Sequence, residues 1–191
     1  MSMSRIPSFR GLVLAAGAGT RFGGPKALAR AADGTPWIVL AVRALTDAGC
    51  RDVVVALGAS ATEARALVPA AAATLVVDGW EDGLSATLRA ALPVAAEGAD
   101  AVVVVPVDTP ELSPEAVGRV VAAAGAAPRA ALVQAVYRGA PGHPVLIGAD
   151  HVPHLVAGLA GDRGARPYLV AHGAIEVECA DVWSGTDHDE R

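Results

Sequence analysis

Apolar residues along this chain follow two alternating rhythms. Near-continuous apolar runs occupy residues 12–15, 53–57, 74–77 and 101–105, and such runs predict strands buried on both faces. Between them the spacing turns helical. Ile38, Val42 and Leu45 share a face in a segment opened by Thr35-Pro36, read as N-cap and first helical position, and closed by Gly49. Leu84, Leu88, Ala91, Leu92 and Ala95 form one stripe over residues 84–95. Ser113-Pro114 opens another helix, carrying Val117, Val120 and Val121. This alternation predicts a three-layer α/β/α domain around a doubly wound, mostly parallel, Rossmann-like sheet.

After residue 125 the rhythm changes. Residues 132–137 and 144–147 read as strands separated by the turn-rich 138–142, followed by a short helix at 150–158, a loop at Gly161-Asp162-Arg163-Gly164 and a strand at 175–179. These extend the same sheet, so residues 1–191 are read as one domain, with 1–10 and 186–191 as loose tails. A chain of 191 residues buries roughly 70% of its unfolded surface, enough for one core.

Composition narrows the function. The chain is 53% hydrophobic but only 4% aromatic, which excludes a disordered chain, a coiled coil and a collagen-like repeat. A net charge of −5 argues against a nucleic-acid partner, which would require a basic face. No apolar run approaches the roughly 18 residues of a membrane span. Residues 1–18 are too short in their apolar part and too glycine-broken for a signal peptide. Cys50 and Cys179 form neither a CxxC motif nor a disulfide framework. The expectation is a cytoplasmic protein with no membrane contact. An acidic chain can still bind a compact anion if its few cations are gathered in one place.

One segment gathers them. In Leu14-Ala15-Ala16-Gly17-Ala18-Gly19-Thr20-Arg21-Phe22-Gly23-Gly24-Pro25-Lys26, a buried strand runs into a glycine loop and then reaches two cations. Glycines let backbone N–H groups turn toward a phosphate with no Cβ in the way. The dinucleotide fingerprint lacks its third glycine, because position 22 is Phe; a P-loop is excluded because Pro25 precedes Lys26 and Ala27 follows it. Asp108 follows the run 101–105, which places it near the carboxyl end of a parallel strand, where α/β ligand sites open. A carboxylate there suits Mg²⁺ shared with substrate phosphates; the competing reading is an N-cap or turn aspartate before Pro110.

The loop, of the form LAAGxGxRxGxPKxL, resembles the signature of the MobA-like NTP transferases, the nucleotidyltransferases of molybdenum-cofactor maturation and their relatives. Four further blocks resemble the family in order: Gly83-Leu84-Ser85-Ala86-Thr87-Leu88, Val107-Asp108-Thr109-Pro110, Pro141-Gly142-His143-Pro144-Val145-Leu146 and Gly161-Asp162-Arg163-Gly164-Ala165-Arg166. The last two, with Leu-Ala-Ala-Gly in the loop, are closest to the molybdopterin cytidylyltransferase branch. The resemblance implies a nucleotide-diphospho-sugar transferase-like fold and Mg²⁺-dependent transfer of a nucleoside monophosphate from an NTP, CTP favoured. The acceptor would be a phosphorylated small molecule such as molybdopterin, with a molybdoenzyme or chaperone as protein partner. Leu14, Ala15, Ala16, Gly17, Gly19 and Thr20 would line the nucleotide, with Arg21 and Lys26 on its phosphates and the metal at Asp108.

Other residues carry two readings. Ser85 touches base or ribose by resemblance, or merely caps a helix. His143 lines the acceptor side, or is a structural histidine. Arg163 and Arg166 meet acceptor phosphate, or form surface ion pairs. His151 and His154, at i and i+3, lack an evident third metal ligand, which favours a solvated face. The family ends in Asp-x-Asp-Thr-Pro-Glu-Asp-Leu, whereas here Asp187-His188-Asp189 is followed only by Glu190-Arg191. Asp187 or Asp189 completes the metal site, or belongs to a frayed terminus. Phe22 and Thr109 stand where the family commonly has Met. The same likeness includes nicotine blue oxidoreductases, so an NAD(P)H-dependent oxidoreductase is one alternative and a non-catalytic nucleotide-binding protein another.

Overall fold

A computed structural model describes residues 6–161 and 163–189. Seven strands, β1 (Phe9–Ala15), β2 (Asp52–Leu57), β3 (Ala72–Val76), β4 (Ala101–Pro106), β5 (Leu132–Tyr137), β6 (Ala140–Gly148) and β7 (Ile175–Glu178), form one sheet in the order β3-β2-β1-β4-β6-β5-β7. All run parallel except β6, which is antiparallel to both β4 and β5. Six α-helices accompany it: α1 (Trp37–Asp47), α2 (Ala61–Arg65), α3 (Leu84–Ala96), α4 (Pro114–Ala123), α5 (Val152–Gly158) and α6 (Arg166–Ala171).

Strand alternation sorts the helices into layers. Val13, Val55 and Val103 join Ile38, Val42 and Leu45 of α1 and Val117 and Val120 of α4 in one core. Leu12, Val54 and Val102 point the other way, into a core built with Leu88 and Leu92 of α3, Leu155 of α5 and Leu169 of α6. The expected three-layer α/β/α sandwich is therefore present, with buried apolar side chains on both sheet faces. Ser113 caps α4, its hydroxyl accepting the Glu115 N–H at 3.1 Å.

Several boundaries differ from the sequence reading. The 74–77 run forms a strand beginning at Ala72, but as the edge of the sheet it is half exposed and not doubly buried. Thr35 does not cap α1; Pro36 stays extended ahead of Trp37. The turn expected over 138–142 contracts to Arg138-Gly139, both with positive φ (54° and 79°), as a two-residue hairpin of right-twisted strands requires. Pro141, expected in the turn, and Pro144, expected to start the strand, both lie in β6 on the far side of Val145, the last β6 residue paired with β4. There one side of β6 is an edge, and proline is tolerated. Of the tails expected to be loose, residues 1–5 and 190–191 lie outside the described residues; Phe9 and Arg10 pair in β1 with β4 and β2, and His188 and Asp189 contact Asp108 and Lys26. No helix is long and apolar enough to cross a membrane, among the described residues.

Candidate active site

The glycine loop leaves the carboxyl end of β1 and returns as Lys26. Its shape depends on Gly19, where φ is +59° and a Cβ would stand 2.1 Å from the Gly24 carbonyl oxygen. The Gly24 N–H donates to the Gly19 carbonyl at 3.0 Å and closes the loop. Gly58, at the end of β2, has no room for a Cβ either, because Trp80 and the Ala16 carbonyl lie within 2.7 Å of that position. Trp80 thereby packs close to the end of β2 and lines the site.

Between the loop, the β4 end and the start of α3 lies a cleft of about 540 Å³. Leu14, Ala15, Ala16, Gly17, Gly19 and Thr20 all line it, as do Lys26, Asp108 and His143. Lys26 Nζ donates to Asp108 Oδ2 at 2.7 Å and to Asp189 Oδ1 at 2.8 Å. The pair is well enclosed, with side chains only 13% and 17% exposed for Lys26 and Asp108. Arg21 is far more exposed and stands 3.7 Å from Asp189. Burial works against the Lys26 ammonium, but its hydrogen bonds to Asp108 and Asp189 outweigh that and raise its pKa. The hydrogen bond from Lys26, then its charge, holds Asp189 below the usual carboxylate range. Asp108 Oδ1 is buried and has no hydrogen-bond partner among the described residues, a cost that a bound cation would relieve.

The terminal segment reaches this pair through ordered contacts. The His188 N–H donates to the Asp108 carbonyl at 2.9 Å; its ring lies 5.4 Å from Trp37 and its Nε2 2.9 Å from Glu111 Oε2. Trp183 packs edge-on against Tyr137 at 5.2 Å, and Gly185 sits where a Cβ would strike the Tyr137 ring.

A second chamber of about 470 Å³ shares Leu14, Leu84 and His143 with the cleft. His143 reaches this shared wall through an irregularity in β6. Gln134 pairs with Val145 but Val136 with Pro141, so residues 142–144 loop out of the ladder, and such bulges re-aim side chains. The Tyr137 hydroxyl fixes that loop by donating to the His143 carbonyl at 2.7 Å. Burial lowers the His143 pKa, with Asp108 and Asp187 opposing, so the ring is neutral near pH 7.

Of four further expected residues, Ser85 and Arg163 fall outside both cavities, whereas Arg166 and Asp187 line the second chamber. Ser85 is fully buried, and its hydroxyl donates to the Arg163 carbonyl at 2.7 Å; it ties α3 to the 161–166 loop and does not line the cleft. The Arg163 side chain borders a small separate depression with Tyr168 and His172. Arg166 does line the second chamber, but it begins α6 and does not belong to a loop. Asp187 lines that chamber too, away from the Lys26 bridge. His151 is occupied by Tyr168 and the Ala130 carbonyl, and among the described residues no three His, Cys, Asp or Glu side chains converge to hold a metal. Asp162 lies outside the described residues. Trp80, Thr87 and Gln134 line the two cavities without having been foreseen. Only Trp80 carried a signal, as a lone aromatic between Gly79 and Gly83.

A cation-bearing glycine loop and a carboxylate at adjacent strand ends of a doubly wound sheet define a nucleotide-handling α/β protein. Residues 11–175 match the model of the MobA-like NTP transferase domain, and the chain belongs to that family. It is 32% identical over 199 aligned residues to the nicotine blue oxidoreductase of Paenarthrobacter nicotinovorans, covering 99% of this chain and 96% of that one. The crystal structure of Rv0371c from Mycobacterium tuberculosis H37Rv superposes with a TM-score of 0.80 at 26% identity, over 96% of this chain and 94% of that one. The 2-C-methyl-D-erythritol 4-phosphate cytidylyltransferase of Thermus thermophilus shares the fold, with a TM-score of 0.64 at 21% identity over 94% and 93% of the two chains.

Proposed function

We propose that this chain is a Mg²⁺-dependent nucleotidyltransferase that moves a nucleoside monophosphate, from CTP by preference, to a phosphorylated acceptor such as molybdopterin. The observation that carries this reading is the enclosed Lys26, bridging Asp108 and Asp189 at the floor of the glycine-loop cleft. The preference for CTP rests on the Leu14-Ala15-Ala16-Gly17 form of the loop.

The residues fit a hard divalent cation. Asp108 has a carboxylate oxygen to spare, Asp189 is kept ionised, and both already flank one positive charge. Mg²⁺, when bound, neutralises triphosphate charge and orients its oxygens. The loop amides and Thr20 cradle the phosphates, and Lys26 and Arg21 offset the charge gathering on them. An acceptor phosphate oxygen forms a bond to the α-phosphorus; the bond to the bridging oxygen breaks, and pyrophosphate leaves with its electron pair. That oxygen is already ionised near neutral pH, so no side chain has to remove a proton, and positioning provides most of the catalysis. Arg166 and His143, on the second chamber, face the acceptor.

Titration with the four NTPs and Mg²⁺ should give saturable binding, and a suitable acceptor should release pyrophosphate. Lys26→Ala should weaken NTP binding about tenfold or more, the usual cost of a charged hydrogen-bond partner. No binding by any NTP, with Lys26→Ala leaving every activity untouched, would overturn the reading. The 32% identity to a nicotine blue oxidoreductase across nearly the whole chain supports a second reading, an NAD(P)H-dependent oxidoreductase. NAD(P)H oxidation with a quinone-like dye, at unchanged pyrophosphate levels, separates the two.

A further inference from the structure

The second chamber has a mixed wall: Leu84, Val145, Ile147 and Leu169 supply apolar surface, and Thr109, His143 and the exposed Arg166 and Asp187 also border it. Two buried polar side chains lie in that wall, and they differ in pairing: the Thr109 hydroxyl donates to the Pro106 carbonyl at 3.0 Å, whereas Gln134 is poorly satisfied. Gln134 lies on the inner strand β5, is 8% exposed, and lines the chamber. Its one hydrogen bond among the described residues is a long one, Nε2 to the Gly142 carbonyl at 3.4 Å, at the outer limit for such a contact. Leucine of similar size would fill the same space without the desolvation cost of a poorly paired amide. A polar group retained at that cost among the apolar residues of a pocket is the usual form of a specificity element.

We propose that Gln134 selects the ligand of the second chamber. That ligand has a flat, largely apolar ring body whose edge places a hydrogen-bond donor beside an acceptor. A glutamine amide presents its N–H₂ and C=O side by side, so it pairs bidentately with such an edge and poorly with any other. The cavity volume of about 470 Å³ holds a two-ring system with room for substituents. The ladder irregularity between Gln134 and Val136 lies beside the amide, and the displaced Gly142 and His143 line the chamber with it. Identifying this ligand with the acceptor of nucleotidyl transfer rests on the function proposed above; the selectivity of Gln134 does not.

Two uncharged bicyclic probes of similar size test it: quinazolin-4-one, which carries N–H beside C=O, and naphthalene, which carries neither. Each is titrated into the full-length protein by NMR, read through the Trp183 indole resonance, since Trp183 lines the chamber. Wild type should prefer quinazolin-4-one by about tenfold or more, the range of one bidentate pair. Gln134→Leu should erase that preference, bind naphthalene at least as well as wild type, and melt no lower. Gln134→Met provides the same test if the leucine variant folds poorly. The proposal is overturned if both variants keep the wild-type preference, or if wild type shows none. A parallel CTP–Mg²⁺ titration keeps the two ideas apart. Its failure with the probe result intact refutes nucleotidyl transfer alone, and its success with no probe preference refutes Gln134 alone.

Discussion

Replacing Gly19 with alanine tests whether the glycine loop is as tightly specified as its geometry indicates. At φ +59° an alanine enters the left-handed region, which costs about 1–2 kcal/mol. Its Cβ would also stand 2.1 Å from the Gly24 carbonyl oxygen and 3.0 Å from its carbon. Backbone cannot yield as a flexible side chain does, so the loop must open and give up the 3.0 Å bond from Gly24 N–H to the Gly19 carbonyl, about 1 kcal/mol more. The sum is about 2–3 kcal/mol against the closed loop, or roughly 30- to 150-fold in its population. Gly17→Ala provides the control, since a Cβ there meets nothing within 4 Å and its φ is not in the left-handed region. Urea denaturation and CTP–Mg²⁺ titration of both variants give the answer. Gly19→Ala should lose both stability and affinity, and Gly17→Ala should stay near wild type in stability. Equal stability losses at the two positions, or none at Gly19, would refute the reasoning.

Two further outcomes follow from single contacts. Ser113→Ala removes the hydroxyl that accepts the Glu115 N–H and should cost about 1 kcal/mol in urea while leaving nucleotide affinity unchanged. Asp189 has its pKa lowered by Lys26 in the folded state, so its contribution is complete above the unfolded value of about 3.9. That contribution fades as pH falls through the lower, folded value. Acid titration should therefore loosen the 186–189 segment below about pH 4, seen as a change in Trp37 emission because the His188 ring packs on that residue. Asp189→Asn should remove this step, and an unaltered acid profile in that variant would count against it.

How much of this was legible in the sequence depended on whether the signal was local. Buried strands announce themselves by unbroken apolar runs, and β1, β2 and β4 appeared where expected. The loop residues reached the cleft because glycine spacing and strand polarity together determine where a βα turn opens. β3 was misjudged because its edge position depends on strand order, which no single window contains. α6 was missed because Gly161 and Gly164 read as loop, although Pro167 just inside a helix start was a usable sign. Ser85 looked like a ligand contact because its partner, the Arg163 carbonyl, lies 78 residues away. Gln134 carried no motif; only its burial with a weakly paired amide in the chamber wall marks it.

The reversal of β6 explains why this site has two chambers with one common wall. In a sheet wholly parallel at this point, the strand beside β4 would end at the cleft, as β1 and β4 do. β6 instead enters from the cleft side: Ala140–Pro144 pass the site before Val145 begins pairing with β4. The residues displaced by its irregularity, with His143 at their centre, are thereby held at the junction of cleft and chamber. Tyr137 then couples this junction to the chain's end. Its hydroxyl holds the His143 carbonyl, and its ring supports Trp183 and Gly185, just before Asp187 and Asp189. One aromatic side chain thus sets both the wall between the two cavities and the approach of the carboxylates. The low aromatic content of the chain, 4%, is concentrated where positioning matters: Phe22, Trp37, Trp80, Tyr137 and Trp183 all border or support this site, while alanine and valine are enough for the sheet.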